Sequence, residues 1–152
     1  MDKKTVLERI ESGKLTYRQA LKVNFNLLSI KQLIALQEHF FANGAQIWIA
    51  VCKKININKF PVRGIFEISQ AIRHCDNPKK ASPVFIQKLD FDRLTNPDII
   101  RLGDIHSSAG WREIVKKIDF AKFTDKQLAQ VICGVDKDLA TLEIVVSRLR
   151  KK

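Results

Sequence analysis

The chain has 152 residues, 45% hydrophobic and 28% charged, the ordinary composition of one globular domain, and no apolar run approaches the 18 residues of a membrane span. Twenty-seven Lys and Arg against sixteen Asp and Glu leave a net charge of +11 and a pI of about 9.8. That imbalance favours polyanionic partners, nucleic acid first and an anionic membrane surface second. Three cysteines, Cys52, Cys75 and Cys133, with no CxxC spacing, fit a reduced protein without a disulfide framework. The opening MDKKTVLERIESGK carries Asp2, Glu8 and Glu11 and does not read as a secretory signal or an acid-poor transit peptide. The cytoplasm is therefore the expected compartment, with a secreted effector or an organelle as the alternatives.

In chain order, a short helix is expected around Val6, Leu7 and Ile10, followed by a break at Gly13. A second helix starts near Thr16, whose hydroxyl and Gln19 three places on form a capping box. Residues 1–22 thus read as an N-terminal helical cap. A fourteen-residue phrase then occurs four times: VNFNLLSIKQLIAL from Val23, ININKFPVRGIFEI from Ile55, LDFDRLTNPDIIRL from Leu89 and IDFAKFTDKQLAQV from Ile118. The starts lie 32, 34 and 29 residues apart. Each copy opens on an aliphatic residue, then Asn or Asp, then Phe or Ile. The sixth place is bulky (Leu28, Phe60, Leu94, Phe123) and the eleventh is Leu or Ile (Leu33, Ile65, Ile99, Leu128).

The seventh place explains where a helix begins. Ser29, Thr95 and Thr124 are N-cap types. Gln32 and Gln127 complete capping boxes, Asp98 adds a first-turn acid, and Pro61 is compatible with a helix start but caps less well. These first helices are expected to run to about Phe41, His74, Ile105 and Cys133, ahead of breakers at Asn43-Gly44, Asn77-Pro78, Ser107 to Gly110, and Gly134. A second helix follows in each unit. Its stripe at i, i+3, i+4, i+7 is Trp48, Val51, Cys52, Ile55; then Ser82, Phe85, Ile86, Leu89; then Trp111, Ile114, Val115, Ile118; then Leu142, Val145, Val146, Leu149. Arg148, Arg150, Lys151 and Lys152 are expected to solvate the last helix.

Two helices per unit of about 30 residues predict an all-α fold: a right-handed αα-hairpin solenoid of four degenerate repeats, near 23–54, 55–88, 89–117 and 118–152, behind the cap, forming a single domain over 1–152. The alternative is a leucine-rich-repeat-like α/β fold, because Ile118-Asp119-Phe120 alternates like a strand and stands 29 residues after Leu89. Against it, the stripe of the preceding helix runs straight into that alternation.

Several residues invite a chemical reading. Asp90 and Asp92 could clamp a hard cation, but the same two columns hold Asn24 and Asn26, Asn56 and Asn58, and Asp119 and Ala121. A place that takes Asn or Asp alike is a turn or cap. His39, His74 and His106 fall near the ends of first helices, where the dipole favours imidazolium. Equivalent places in stacked units are about 8–10 Å apart, too far for a shared metal. His74-Cys75 are helix neighbours pointing apart. No phosphate loop or nucleophile elbow is present, and Trp48 and Trp111 share one core column. No enzyme, metal or cofactor is expected.

The basic columns remain. The second helices end in Lys53-Lys54, Lys88, Lys116-Lys117 and Arg148; the fifth phrase place is Leu27, Lys59, Arg93, Lys122, and the ninth is Lys31, Arg63, Pro97, Lys126. Stacked units align equivalent places, so these cations are expected to form ridges along one edge. The nucleic-acid-binding candidates are Lys53, Lys54, Lys59, Arg63, Lys88, Arg93, Lys116, Lys117, Lys122 and Lys126, matched to a row of phosphates. The rival reading is plain: Lys at a helix C-terminus gains about 0.3–1 kcal/mol from the dipole.

The segment FTDKQLAQVICGVDKDLATLEIVVSRL, Phe123 to Leu149, resembles a repeat of the transcription-activator-like effectors, and LSIKQLIAL from Leu28 with NGAQ from Asn43 is similar. The units also resemble octotricopeptide-type RNA-binding repeats. Both are degenerate two-helix, α-solenoid families, and the resemblance implies nucleic-acid binding, RNA somewhat ahead of DNA. The paired glycines of the effector loop are absent, Val135-Asp136-Lys137 standing there, so no base-reading residues are carried over. The other function the sequence allows is a protein-interaction module along the solenoid surface: an adaptor, an effector or a subunit of a ribonucleoprotein.

Overall fold

The computed structural model describes residues 3–150, and among them every regular element is helical. The termini Lys151 and Lys152, expected to solvate the last helix, lie outside the described residues. The helices are α1 (Lys3–Glu11), α2 (Tyr17–Ala20), α3 (Ile30–His39), α4 (Gly44–Lys54), α5 (Val62–Arg73), α6 (Pro78–Lys88), α7 (Asn96–Lys117), α8 (Asp125–Val135) and α9 (Leu139–Leu149). The α/β alternative does not form. Ile118 is the extended C-cap of α7, Asp119 the N-cap of the turn that follows, and Phe120 its first residue.

Each phrase folds the same way, and the physical reasons are local. Its Asn or Asp turns its side chain back on the chain, so that Asn24, Asn56, Asp90 and Asp119 accept from the amide two residues on, at 3.2, 3.0, 3.1 and 3.0 Å. That bond starts a single 3-10 turn: Phe25–Leu27, Ile57–Lys59, Phe91–Arg93 and Phe120–Lys122. One extended residue later, Ser29, Thr95 and Thr124 each close a capping box with Gln32, Asp98 and Gln127, as Thr16 does with Gln19. Asp98 is thus a full partner of its cap and more than a first-turn acid. Replacing such a cap with Ala costs about 1 kcal/mol. Pro61 stands at the same place in the second unit with no side-chain cap bond.

Two details differ from the periodic pattern. Ile55, Leu89 and Ile118 end the apolar stripe, yet the helices stop one residue earlier and these three are extended C-caps, all still buried. In the third unit the two helices run on as α7, interrupted by the single non-helical residue Ser107 at φ 52°, ψ −151° rather than by a loop over 107–110.

Helices contact both their sequence neighbour and the one after it: α3 with α4 and α5, α4 with α6, α5 with α6 and α7, α6 with α7, and α7 with α8 and α9. Their apolar faces join one continuous core running from Val6 to Val145. Trp48 and Trp111 are both wholly inside it. Trp111 lies so close to the backbones of Gly103 and Gly134 that a Cβ at either place would overlap its indole.

Candidate nucleic-acid interface

The ten predicted cations fall on or near the edge where the second helices end and the 3-10 turns begin. They do not form a simple row of solvated charges. The last residue of a second helix reaches back to the preceding part of the chain. Lys54 Nζ donates to the Leu21 carbonyl at 2.5 Å. Lys117 Nζ donates to the Gln87 and Leu89 carbonyls at 2.7 and 3.2 Å, and less closely to that of Ile86. Arg148 does the same to the Val115 carbonyl. Leu21, Gln87 and Val115 lie at the C-terminal ends of α2, α6 and α7, where carbonyls lack an amide partner one turn on, while the Ile86 carbonyl also accepts from the Leu89 amide. Each of these cations also sits over the aromatic ring of its own unit's turn: Lys54 over Phe25 at 5.4 Å, Lys117 over Phe91 at 5.4 Å and Arg148 over Phe120 at 5.3 Å.

Lys88 explains the rule by breaking it. Its unit carries Ile57 where the others carry Phe, and among the described residues its ammonium makes neither contact. Here the junction is held by Asn58, whose amide donates to the Lys88 carbonyl at 2.9 Å and accepts from the Asp90 amide at 2.9 Å. The fifth phrase column also reaches back: Lys59 to the Asn26 carbonyl at 3.4 Å, Arg93 to the carbonyls of Asn58 and Phe60, and Lys122 to the Asp92 carboxylate at 4.0 Å. Four predicted cations, Lys54, Lys59, Arg93 and Lys117, therefore fasten backbone carbonyls.

Three others meet carboxylates. Lys116 pairs with Glu113 at 2.8 Å, Arg63 with Glu67 at 3.3 Å one turn along α5, and Lys122 with Asp92 as above. Burial pushes the Glu113 carboxyl upward, but hydrogen bonds from Lys116 and Gln87 outweigh it and leave its pKa low. Desolvation lowers the Lys117 pKa from the ordinary lysine value, against the pull of Glu113 and Asp90. The remaining three, Lys53, Lys88 and Lys126, are exposed and, among the described residues, without a side-chain partner.

A carbonyl oxygen orients an ammonium but does not neutralise it, so the fastened cations still contribute positive charge. Their geometry is fixed by the backbone they touch. The turns differ in what opposes them. The first two carry Asn24, Asn26, Asn56 and Asn58, whereas the last two carry Asp90, Asp92 and Asp119. The cations at the first two turns, with Lys53 and Lys88, are the least opposed part of the edge.

The other candidates resolve differently. His106 is buried, with Ser69 Oγ at 2.6 Å from Nε2 and Ser82 Oγ at 2.8 Å from Nδ1. Burial and, secondarily, the Arg73 charge lower its pKa to about 4. His39 and His74 are exposed. Among the described residues no three His, Cys, Asp or Glu side chains gather closely enough to hold a metal ion. Cys52 and Cys75 are buried and Cys133 is exposed, all as free thiols, and burial drives the Cys52 thiol up to about 12. Among the described residues no helix is long and apolar enough to cross a membrane.

Sequence reasoning missed the aromatic half of these fastenings, although its signal is in the phrase: Phe at the third place goes with a carbonyl-bonded Lys or Arg at the end of the same unit. No family model, curated protein or solved structure matches this chain.

Proposed function

We propose that this chain is a non-enzymatic, nucleic-acid-binding helical-repeat protein, its two-helix units stacked as an αα-hairpin solenoid, with RNA ahead of DNA as the ligand. The stacking is supported by side chains that reach back towards the preceding unit: Lys54 to Leu21, Lys59 to Asn26, Arg93 to Asn58, Lys117 to Gln87 and Arg148 to Val115. The observation that carries the function is the turn edge, where Lys54, Lys59, Arg93 and Lys117 are set in series by carbonyls and the first two turns carry Asn in place of Asp. Phosphates of a single strand present a matching series of anions. RNA is placed ahead on the resemblance to organellar RNA-binding repeats. The binding reading is preferred to catalysis because both ring nitrogens of the buried His106 are taken up by the hydroxyls of Ser69 and Ser82.

The test is fluorescence anisotropy at low salt with labelled single-stranded RNA, single-stranded DNA and duplex DNA of equal length. Binding to RNA at least as tight as to either DNA is expected; no binding to any of the three contradicts the proposal. The informative variant is Lys53→Glu with Lys88→Glu. Both side chains are exposed and unfastened, so binding should weaken while far-UV circular dichroism stays the same. Charge reversal at Lys117 would confound binding with folding.

A further inference from the structure

An open groove between α3 and α5, away from the basic edge, holds about 570 Å³. That is within the range of sites that hold small ligands or peptide side chains. We propose that this groove is a docking site for a peptide segment of a protein partner, one that carries apolar side chains flanked by Lys or Arg. The proposal goes beyond nucleic-acid binding and does not depend on it.

Three observations select that occupant. The first is apolar surface. Ile34 on α3 and Ala71 on α5 form the walls, and Phe41, just past the end of α3, stands 63% exposed at one end. A large aromatic left in water beside a groove is a typical anchor for a partner's side chain.

The second is charge. In a chain of net charge +11, the groove is lined by the carboxylates of Glu38 and Glu67, with His74 as its one basic side chain and no Lys or Arg. Glu67 accepts from Arg63 on its outer side at 3.3 Å, and a carboxylate has further lone pairs to offer. A polyanion is repelled from such a lining and a cationic segment is drawn to it.

The third is hydrogen-bonding capacity. Gln37 is 4% exposed, and among the described residues its side-chain amide has no partner. Gln70, facing it from α5, is likewise unpartnered among the described residues. Among the described residues the buried side-chain N or O atom left unpartnered is Trp48 Nε1, so the Gln37 amide atoms are still reachable from the groove. A carboxamide offers one acceptor and two donors, which suits the N–H and C=O of a peptide main chain. The stretch from Ile34 to Phe41 spans about 10 Å, enough for three extended residues or two helical turns.

The test pans a phage-displayed library of random dodecapeptides on the purified full chain and then measures the synthetic consensus peptide by anisotropy. The expected consensus has one or two large apolar residues beside Lys or Arg. Phe41→Ser, and Glu38→Lys with Glu67→Lys, should each weaken it at least tenfold with unchanged circular dichroism and melting temperature. Lys53→Glu with Lys88→Glu should leave peptide affinity intact. The proposal is overturned by absence of enrichment, by a consensus without basic residues, or by groove variants that bind as well as the parent. It is equally overturned if labelled RNA displaces the peptide and is itself weakened by Phe41→Ser, which would assign the groove to nucleic acid. Failure of RNA binding in the parent leaves this proposal standing.

Discussion

His106 joins three helices through two hydroxyls, Ser69 on α5 and Ser82 on α6. Neutral imidazole has one N–H and one lone pair, and a serine hydroxyl can accept from the first or donate to the second, so both contacts are satisfied without a charge. Protonation would place a desolvated cation there, which is why its pKa falls from 6.5 to about 4. In the unfolded chain the same ring titrates near 6.5, so below that pH the unfolded state takes up a proton that the folded state refuses. Stability is therefore whole above pH 6.5, declines as the pH falls towards 4, and loses about 3 kcal/mol in all from this group. The low pKa values of Glu113 and Asp138 act at more acidic pH, because their stabilising effect is lost only below the ordinary carboxylate range. Urea unfolding between pH 7.5 and 4.5 checks this: the midpoint should fall in the parent and stay nearly level in His106→Gln. A flat parent profile would contradict it. The sequence put His106 at a helix end but could not show its burial, since its partners lie 37 and 24 residues away.

At the scale of elements, the phrase is a list of instructions for one turn and one helix start, and that part was legible. The Asn/Asp column, the capping boxes and the apolar stripe each act within a few residues, where sequence spacing determines geometry. What was not legible is what one unit does to the next. Lys54, Lys117 and Arg148 were read as surface charge; their carbonyl partners lie about one unit back in the chain. Lys117→Met, which keeps the apolar stem, should cost about 1–2 kcal/mol, whereas Lys88→Met should stay within about 0.5 kcal/mol; thermal melts of the two variants compare them directly. Equal effects would mean that the carbonyl contacts of Lys117 contribute nothing. The glycines at Trp111 give a second check. Gly103→Ala improves helix propensity yet drives a methyl into the indole, so a net loss of about 1–3 kcal/mol is expected from overpacking. A more stable Gly103→Ala would show that the ring has room to move.

At the scale of the whole molecule, charge is distributed by edge. The end where helices meet turns is cationic, while the groove between α3 and α5 carries carboxylates and an exposed phenyl ring. The excess of +11 was visible from composition, but its division between structural fastenings and free charge was not. That division leaves Lys53 and Lys88 as unfastened candidates on the turn edge, with Lys126 in the first turn of α8. The central claim is that this edge binds nucleic acid by phosphate neutralisation, and the dependence of RNA affinity on salt tests it most directly. With about five phosphate contacts to a single strand, the slope of log affinity against log salt should be near −3.5. Lys53→Glu with Lys88→Glu, removing two contacts, should reduce its magnitude by about 1.4. A parent slope near zero, or a slope the double variant leaves unchanged, would contradict the account.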